Sequence, residues 1–586
     1  MPYRAAARRE PKYVTLRSRY GHVRIDPHER LRDAARAMST RLHRGLRWLI
    51  GLTALAALGA AAPLRASAPP PVAPPSNAQC LACHAAGLMG APKIDPTVLA
   101  HSVHGTLSCV SCHAGIRTLP HPPLVPAVTC ATCHQRQGRE LALGSHAALA
   151  QARPGERPRP TCTTCHGTHD ITRVSSPTFR QHLTRTCATC HARAYRSYMS
   201  TPHGQAAALG LQRAPRCVDC HNPHRALAAH QAGSELSGAH RTATCARCHA
   251  GASTGLAGYD PHPQPDSPAR SRLLAYTHYF MVALLAGVFG FFGLHTLLWL
   301  QRSLIARLRG ELPPLAHFSG PHIQRFTVVD RLTHLIVILS FMLLSLTGLA
   351  LMHPTTGWGE AISGFFGGPA RMRVIHLVNG GITFGYFLFH LLYLAYRAVV
   401  KKQHYALFGS DSLVPNTQDL RDIWRNFRWF LYLGRQPRMG RWTYWEKFDY
   451  WAVFWGVAMI GVSGLMLAAP VFFTHFMPGI ILNVAFIVHS EEALLATGFI
   501  FIFHFFHNHF RPEKFPIDVS ILTGRVPLER FKEERPLQYE TLVREGKLQA
   551  AIVAPPSKGL VVISVLFGLA VVVTGVTLIA LVIFVR

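Results

Sequence analysis

The 586-residue chain has no cysteine outside one repeated pentapeptide, and it has few acidic residues for its size. All fourteen cysteines fall in C-x-x-C-H units, so none is left for a separate disulfide framework. Asp and Glu number 29 against 60 Lys and Arg, which gives a formal charge of +31. No glycine-rich phosphate loop, nucleophile triad or molybdenum-binding signature is present, so the sequence gives no sign of a fused second enzyme.

The fourteen cysteines form seven C-x-x-C-H units, which we interpret as seven sites for covalent haem c. Two thiols bind the haem in this motif and the adjacent histidine ligates the iron. Structural zinc is the alternative, but it requires paired units and no histidine directly after each pair. The cysteines are Cys80, Cys83, Cys109, Cys112, Cys130, Cys133, Cys162, Cys165, Cys187, Cys190, Cys217, Cys220, Cys245 and Cys248, and the proximal histidines are His84, His113, His134, His166, His191, His221 and His249.

Haem iron that only carries electrons usually takes two protein ligands, so a second set of histidines is expected. We expect these distal ligands to be His104, His146, His169, His182, His203, His224 and His240. His121, His230 and His262 stand in Pro-rich or Ala-rich surroundings and are left out. His169 and His224 each follow a proximal histidine by three residues, too close to reach the opposite face of the same haem, so they are expected to ligate neighbouring haems.

Strong positive charge is typical of nucleic-acid-binding proteins, but its distribution here argues against such a partner. Residues 69–270 have 18 Lys and Arg against 8 Asp and Glu, an excess that the propionates of seven haems would offset. Much of the remaining charge lies in the first 47 residues and in loops beside apolar segments, where cations orient membrane helices. We predict no nucleic-acid partner.

The N-terminal region is interpreted as an export signal at 38–68, followed by a Pro-rich linker at 69–79. Basic residues precede a short apolar run, and an A-x-A-like site allows cleavage after Ala68. An uncleaved membrane anchor is the alternative. Met38 is a sensible start, so residues 1–37 are expected not to belong to the translated or mature protein.

Residues 80–270 show no long helical or strand periodicity, and Gly, Pro, His and Ala interrupt the chain throughout. Intervals of 21 to 32 residues between motif starts leave room for a short helix and a loop for each haem. We expect a mainly helical, loop-rich domain with a haem core, which does not fold without its haem.

Long apolar runs follow and predict an all-α bundle of six transmembrane helices, with a membrane domain at 271–556 and a C-terminal helix at 557–586. The loops after the first, third and fifth spans are richest in Lys and Arg, so the positive-inside rule puts them in the cytoplasm. The motif domain is then periplasmic, and the protein is predicted to lie in the bacterial inner membrane among its lipids. The predicted spans are 273–300, 332–352, 374–400, 451–469, 484–506 and 559–585.

Histidines inside apolar spans are costly and usually functional. By depth, His376 pairs with His489 near the periplasmic face, and His334 pairs with His504 near the cytoplasmic face. A rise of about 22 Å between His489 and His504 suits one haem near each face. Competing candidates remain, including a helix that carries both His376 and His390; the full set is His278, His295, His390, His507 and His509.

Three stretches resemble the dihaem cytochrome b subunits of membrane formate dehydrogenases and nickel-iron hydrogenases. They are DRLTHLIVILSFMLLSLTGLAL from Asp330, RVIHLVNGG from Arg373 and HSEEALLATGFIFIFH from His489. The domain order, with FRPEKFPIDVSILTGRVPLERFKEERP from Phe510, resembles the inner-membrane cytochrome c and cytochrome b fusions of metal-respiring bacteria. The resemblance implies two b haems that exchange electrons with the quinone pool. One departure is the fifteen-residue spacing from His489 to His504, where such pairs are usually about thirteen or fourteen apart.

These features predict a quinol dehydrogenase with two haem b and seven haem c, which passes electrons to a periplasmic cytochrome c or another redox protein. The alternatives are an anchor and electron conduit for an additional catalytic subunit, and a periplasmic reductase with one open haem. Glu491 and Glu492, beside His489, are candidate acceptors of quinol protons. The resemblance points instead to the cytoplasmic haem, where Asp330, Arg331 and Asp449 would be the candidates.

Overall fold

The computed structural model describes residues 14–16, 23–25, 73–147, 159–311, 320–403, 409, 412–515 and 517–585. The expected export signal at 38–68 lies outside the described residues, as does most of 1–37. Strands β1, Val14–Leu16, and β2, Val23–Ile25, pair antiparallel in a first unit that ends at Pro74. Everything that follows belongs to the second unit, Pro75–Arg586.

The first part of this unit, called the motif domain, is loop-rich and built from short helices, as expected. Every C-x-x-C-H unit begins on a helical turn. Because residues three apart are neighbours on such a turn, the two thiols of a unit lie on one side of it. The helices are Asn77–His84, Pro96–His101, Cys109–Cys112, Gln135–Leu143, Cys162–His166, Pro177–Cys190, Ala192–Met199, Pro202–Ala208, Cys217–Cys220, Gly238–Ala246 and Thr254–Ala257, with 3-10 turns at Leu88–Gly90 and Cys130–Thr132.

Among the described residues of the second part, called the membrane module, six helices are long and apolar enough to cross a membrane, which confirms the six predicted spans. Each helix begins earlier than the predicted apolar run, and four of the six follow a capping side chain in the polar flanking sequence. Ser271 caps span 1, and Thr327 with Asp330 forms a capping box on span 2. The spans, numbered 1 to 6, are Arg272–Leu308, Val328–Met352, Pro369–Val399, Tyr444–Ala468, Ile480–Phe510 and Lys558–Phe584.

Span 5 is the central helix of the module and packs against spans 1, 2, 4 and 6. Its second half is not a regular α-helix: Phe499–His504 and Phe506–Phe510 are π-helical. The wider π turn directs Phe499, Phe501, Phe503 and Phe505 into the surrounding helices, and all four rings are buried.

A small three-stranded antiparallel sheet lies at the end of the module that is remote from the motif domain. This end is called the opposite side. Strand β3, His322–Gln324, is central and pairs with β4, Arg525–Pro527, and β5, Ile552–Val553. The sheet ties the start of span 2 to the segments that flank spans 5 and 6. The remaining helices are Gly357–Phe365, Thr417–Phe430, Pro470–Phe473, Ser520–Thr523, Leu528–Glu534, Pro536–Arg544 and Leu548–Ala551.

Candidate haem and quinone sites

Each of the seven motif histidines faces one histidine from outside its own motif, with ring centres 5.9 to 6.4 Å apart. Two imidazoles on one iron have a separation of about 6 Å, since a metal–nitrogen bond is about 2 Å and each ring centre lies about 1 Å beyond its nitrogen. The spacing therefore fits haem with two axial histidines. The pairs are His84–His121, His113–His169, His134–His104, His166–His224, His191–His146, His221–His262 and His249–His203.

These pairs differ from the expected distal set at two positions. The structure puts His121 and His262 in pairs, although the sequence analysis left them out, and it pairs neither His182 nor His240 with a motif histidine. His182 and His240 are exposed, and each lies five residues before the first cysteine of a motif on the same helix. Five residues turn a helix by about 140° beyond one full turn, so these histidines point away from the motif face.

The pairs interleave the motif segments. His169 lies beside His113 of the second motif and not beside His166, which it follows by three residues. His224 likewise lies beside His166 of the fourth motif. Each pair therefore holds together two segments that are separated in the sequence.

Hydrogen bonds fix several of these rings through Nδ1. The Nδ1 atom of His84 lies 2.9 Å from the carbonyl oxygen of Pro92, and that of His121 lies 2.8 Å from the carbonyl oxygen of Pro122. The Nδ1 atom of His262 is 3.0 Å from the carbonyl oxygen of Ala194. A ring that donates from Nδ1 leaves Nε2 free for a metal and holds a fixed orientation.

One continuous cavity of about 4350 Å³ runs from the motif domain into the membrane module. It is lined by paired histidines of the motif domain, such as His134 and His221, and by His334, His376 and His489 of the spans. A site for a single small ligand occupies about 300 to 1,000 Å³, so this cavity has room for several large cofactors.

His376 of span 3 and His489 of span 5 form an eighth pair, with ring centres 6.2 Å apart. Thr347 lies 2.8 Å from Nδ1 of His376, and the carbonyl oxygen of Ile460 lies 2.9 Å from Nδ1 of His489. A Cβ atom at Gly464 would come within 3.0 Å of the His489 ring, so span 4 needs glycine there to approach it. This pair has the same ring separation as the seven pairs of the motif domain, but its rings are more steeply inclined to each other, at 69°.

His334 and His504 both line the cavity towards the opposite side and interact electrostatically. The Nδ1 atom of His504 lies 2.9 Å from a carboxylate oxygen of Asp449, which orients the ring, and the side-chain nitrogen of Asn508 lies 3.4 Å from Nε2. The Nδ1 atom of His334 is buried and has no partner in the described part of the chain.

The π-helical segment accounts for the unusual spacing of His489 and His504. In an α-helix each residue turns the chain by about 100°, so a fifteenth residue would carry His504 about 100° past the face that a fourteen-residue spacing selects. A π-helix turns by only about 80° per residue, so the six residues of Phe499–His504 remove about 120° in total, close to the about 100° that the extra residue adds. The π-helical segment therefore compensates for the extra residue, and both His489 and His504 line the cavity.

The competing histidines have other neighbours. His278 contacts Glu491 at 2.8 Å, and Nε2 of His390 lies 2.8 Å from the hydroxyl of Tyr450. His295 hydrogen-bonds the hydroxyl of Tyr444. His507 is buried against aromatic rings, and His509 accepts a weak bond from the backbone of the 517–519 segment.

The two carboxylates after His489 point in different directions. Glu491 faces span 1, where it meets His278. Glu492 lines the cavity, is 3% exposed, and has one carboxylate oxygen without a partner among the described residues. Of the two, only Glu492 is placed to meet a molecule in the cavity.

The acidic and basic candidates of the opposite side also differ in their contacts. Asp330 accepts hydrogen bonds from the backbone and hydroxyl of Thr327 as part of the helix cap. Arg331 donates to the carbonyl oxygen of Leu522 and does not line the cavity. Asp449 is directed at His504, so it is the candidate most closely tied to the cavity on this side.

A buried ion-pair network, which sequence reasoning missed, closes the cavity on the opposite side. Glu446 binds both Arg325 and Arg535, and each guanidinium keeps one buried nitrogen without a partner in the described residues. Burial, reinforced by Arg535, lowers the pKa of Arg325 to about 10. Burial alone would raise the pKa of Glu534, but Lys514 and nearby arginines lower it to about 2. The network keeps this end of the module charged.

The chain has distant relatives among cytochrome b subunits. It is 25% identical over 173 residues to the formate dehydrogenase cytochrome b556(fdo) subunit of Escherichia coli K12, a stretch that covers 29% of this chain and 72% of that subunit. The nitrate-inducible cytochrome b556(Fdn) subunit of the same strain is 20% identical over 182 residues, 31% of this chain and 75% of the subunit. The formate dehydrogenase cytochrome b556 subunit of Haemophilus influenzae is 24% identical over 184 residues, 31% of this chain and 68% of the subunit. No protein-family model matches the chain.

The similarity concerns the C-terminal part, which also holds the six apolar helices. Together they support a membrane cytochrome b module, so the membrane module is called the b module from here on. The expected resemblance to formate dehydrogenase b subunits is confirmed at that level, and haem b is the cofactor that the b module implies. The fusion of this module with a multihaem c domain stays a prediction.

Proposed function

We propose that this chain is a quinol dehydrogenase of the bacterial inner membrane, with its motif domain in the periplasm. The b module binds quinol, which gives up two electrons and two protons. The motif domain delivers the two electrons one at a time to an oxidised periplasmic cytochrome c or another redox protein. Haem, when bound at the histidine pairs, supplies the one-electron redox chemistry.

The observation that carries this proposal is the set of eight histidine pairs at about 6 Å, seven of them attached to C-x-x-C-H units. His376 with His489, and His334 with His504, are the proposed axial ligands of two b haems. The distal set proposed for the c haems is His104, His121, His146, His169, His203, His224 and His262.

A second candidate function is an anchor and electron conduit for a separate catalytic subunit. The relatives favour it, because they are named as subunits of formate dehydrogenases. A reductase with an open haem is less well supported, since every motif histidine has a histidine partner.

For the quinol, we propose the motif side of the b module, with Glu492 as proton acceptor. Its buried carboxylate lines the cavity next to His489, and protons released there would leave on the side of the motif domain. Asp449 beside His504 is the corresponding candidate if quinol binds on the opposite side.

Reduced-minus-oxidised spectra of the purified chain, combined with acid–acetone extraction of haem, test the proposal directly. We expect seven non-extractable c haems and two extractable b haems, all reducible by a quinol analogue. A co-purified subunit with its own active site would favour the anchor function, and c haems that stay oxidised with quinol would contradict quinol oxidation.

A further inference from the structure

We infer that electrons enter the motif domain at its last motif, residues 245–249, and leave it from its first, residues 80–84. This inference rests on the proposed function and adds a direction and two terminal sites to it. Two independent observations carry it: the contacts between successive motifs, and the joint between the motif domain and the b module.

Three side-chain contacts and three electrostatic interactions between cysteines link each motif to the next one in the sequence. Cys109 of the second motif contacts Cys80 of the first, and Cys130 of the third interacts with Cys112 and with Cys162 of the fourth. Further along, Cys187 interacts with Cys165 and contacts Cys217, and Cys220 interacts with Cys245. The seven sites therefore form a row in sequence order, with the first and last motifs at its ends.

The last motif is the end that is fixed to the b module. Span 5 has no side-chain cap; instead, the N–H of Gly479 donates to the carbonyl oxygen of Gly255 at 2.8 Å. The Ser253 hydroxyl donates to the carbonyl oxygen of Thr474 at 3.0 Å. A Cβ atom at Gly255 would lie 2.1 Å from that same carbonyl oxygen, so only glycine permits this approach. The two backbones are in direct contact.

A second pair of bonds fixes the angle of the joint. Asn483 of span 5 is 3% exposed, accepts from the N–H of Asp260 at 2.9 Å and donates to the carbonyl oxygen of Asp260 at 2.8 Å. Asp260 in turn accepts from the N–H of His262, the partner of His221 in the sixth motif. Asn483 lies six residues before His489, a rise of about 9 Å along the helix. The joint thus connects the last two motif sites to the helix that carries the nearest b-module pair.

Apolar packing and a further helix contact also join the b module to the end of the row that holds the last motif. Leu256 packs with Met466 and Leu482 of the b module, and Cys245 borders this cluster. The helix Pro202–Ala208, which carries the histidine paired with His249, contacts span 2.

The first motif lies in a different setting. Around it, Met89 is 97% exposed and Leu124 is 92% exposed, and no large hydrophobic side chain is buried among the described residues before Phe179. This end of the row is open to a soluble redox partner, whereas the last motif is covered by the b module.

Two matched double variants test the assignment, because each removes one pair of cysteines and therefore one covalent haem. One is Cys80→Ala with Cys83→Ala, and the other is Cys245→Ala with Cys248→Ala. Both should retain six c haems that dithionite reduces. With a quinol analogue, we compare the rates at which the two variants reduce their six remaining c haems. The second should reduce them at least about 10-fold more slowly, while its b haems still become reduced.

Equal rates of c-haem reduction in the two variants would overturn the inference. Failure of quinol to reduce the c haems of the unmodified chain would instead overturn the proposed function, so the two failures are distinguishable.

A variant in the joint between the motif domain and the b module provides a second test if the variant of the last motif does not fold. Asn483→Ala removes both bonds to Asp260 but leaves every cysteine and histidine in place. We expect all c haems to be retained and their reduction by quinol to slow, with dithionite reduction unaffected. An unchanged rate with quinol would contradict entry at this joint.

Discussion

The motif domain and the b module are packed in opposite ways. Six hydrophobic side chains are buried in the described part of the motif domain, all between Phe179 and Leu256, whereas 29 are buried in the described part of 272–585. The motif domain has interleaved histidine pairs where the b module has interlocked helices. A chain that buries so little apolar surface cannot offset its loss of conformational entropy by side-chain packing alone.

The comparison shows that the two regions use histidine differently. In the motif domain, histidine pairs bring distant loops together, so the proposed haem sites and the fold are the same structure. In the b module, helices that are already fixed by packing present His376 and His489 to the cavity. Loss of cofactor should therefore unfold the first region and spare the second.

The largest expected effect comes from removing the covalent haem. Expression in cells that lack cytochrome c maturation should leave the motif domain unfolded and sensitive to limited proteolysis, because the histidine pairs have nothing to bind. The b module should keep its b-type spectrum and resist the protease. A protease-resistant motif domain without haem would break the comparison.

The second-largest effect is expected from removing one histidine of the eighth pair, His376–His489. His489→Ala should remove one of the two b haems and lower quinol-dependent reduction of the c haems by more than about 100-fold, with the c spectrum unchanged. Optical spectra and stopped-flow reduction with a quinol analogue measure both results.

His390→Phe is the matched control, since His390 lies on the same span as His376 but contacts Tyr450. This variant should retain both b haems. If His489→Ala also retains both, the assignment of the pair is wrong.

A smaller effect is expected at the proposed proton acceptor. Glu492→Gln should slow quinol oxidation by roughly 10- to 100-fold, because the amide cannot accept a proton, while both b haems remain. Glu491→Gln is the control, since that carboxylate faces His278 and not the cavity.

Proton release in sealed vesicles provides the second measurement. It should appear on the side of the motif domain. Release on the other side, or an unchanged rate in Glu492→Gln, would move the quinol site towards Asp449.

The smallest effect tests whether the distal ligands are the histidines that are paired in the structure or those expected from the sequence. His262→Ala should convert one of the seven c haems from low spin to high spin, because its iron loses one axial ligand. His240→Ala should leave the spectrum unchanged, because this histidine is exposed. Electron paramagnetic resonance of the oxidised protein distinguishes the two. A high-spin signal in His240→Ala alone would restore the expected set.

Much of this arrangement could be predicted because it depends on local sequence patterns. The C-x-x-C-H units, the six apolar runs and the depth of His376 and His489 all follow from residues that are close in sequence. The histidine partners of the motif histidines could not be predicted in this way. His121 and His262 stand in unremarkable loops, and only their position opposite His84 and His221 reveals them.

The spacing of His489 and His504 shows the same limit from within one helix. Regular helical rotation argued against a fifteen-residue pair, and no residue pattern marked the π-helical turn at Phe499–His504 that absorbs the extra residue. A capping box has a clear signature, whereas a π turn is stabilised by how its side chains pack against neighbouring spans.

The sequence by itself determined the number of C-x-x-C-H units, the six spans and the proximal histidines, because each depends on chemistry within a few residues. Only the tertiary structure decided which distal histidine meets which motif, which end of the row touches span 5, and that Glu492 faces the cavity while Glu491 does not. These depend on contacts between segments that lie far apart in the chain, and the loops that bring them together carry no periodic pattern from which their path could be predicted.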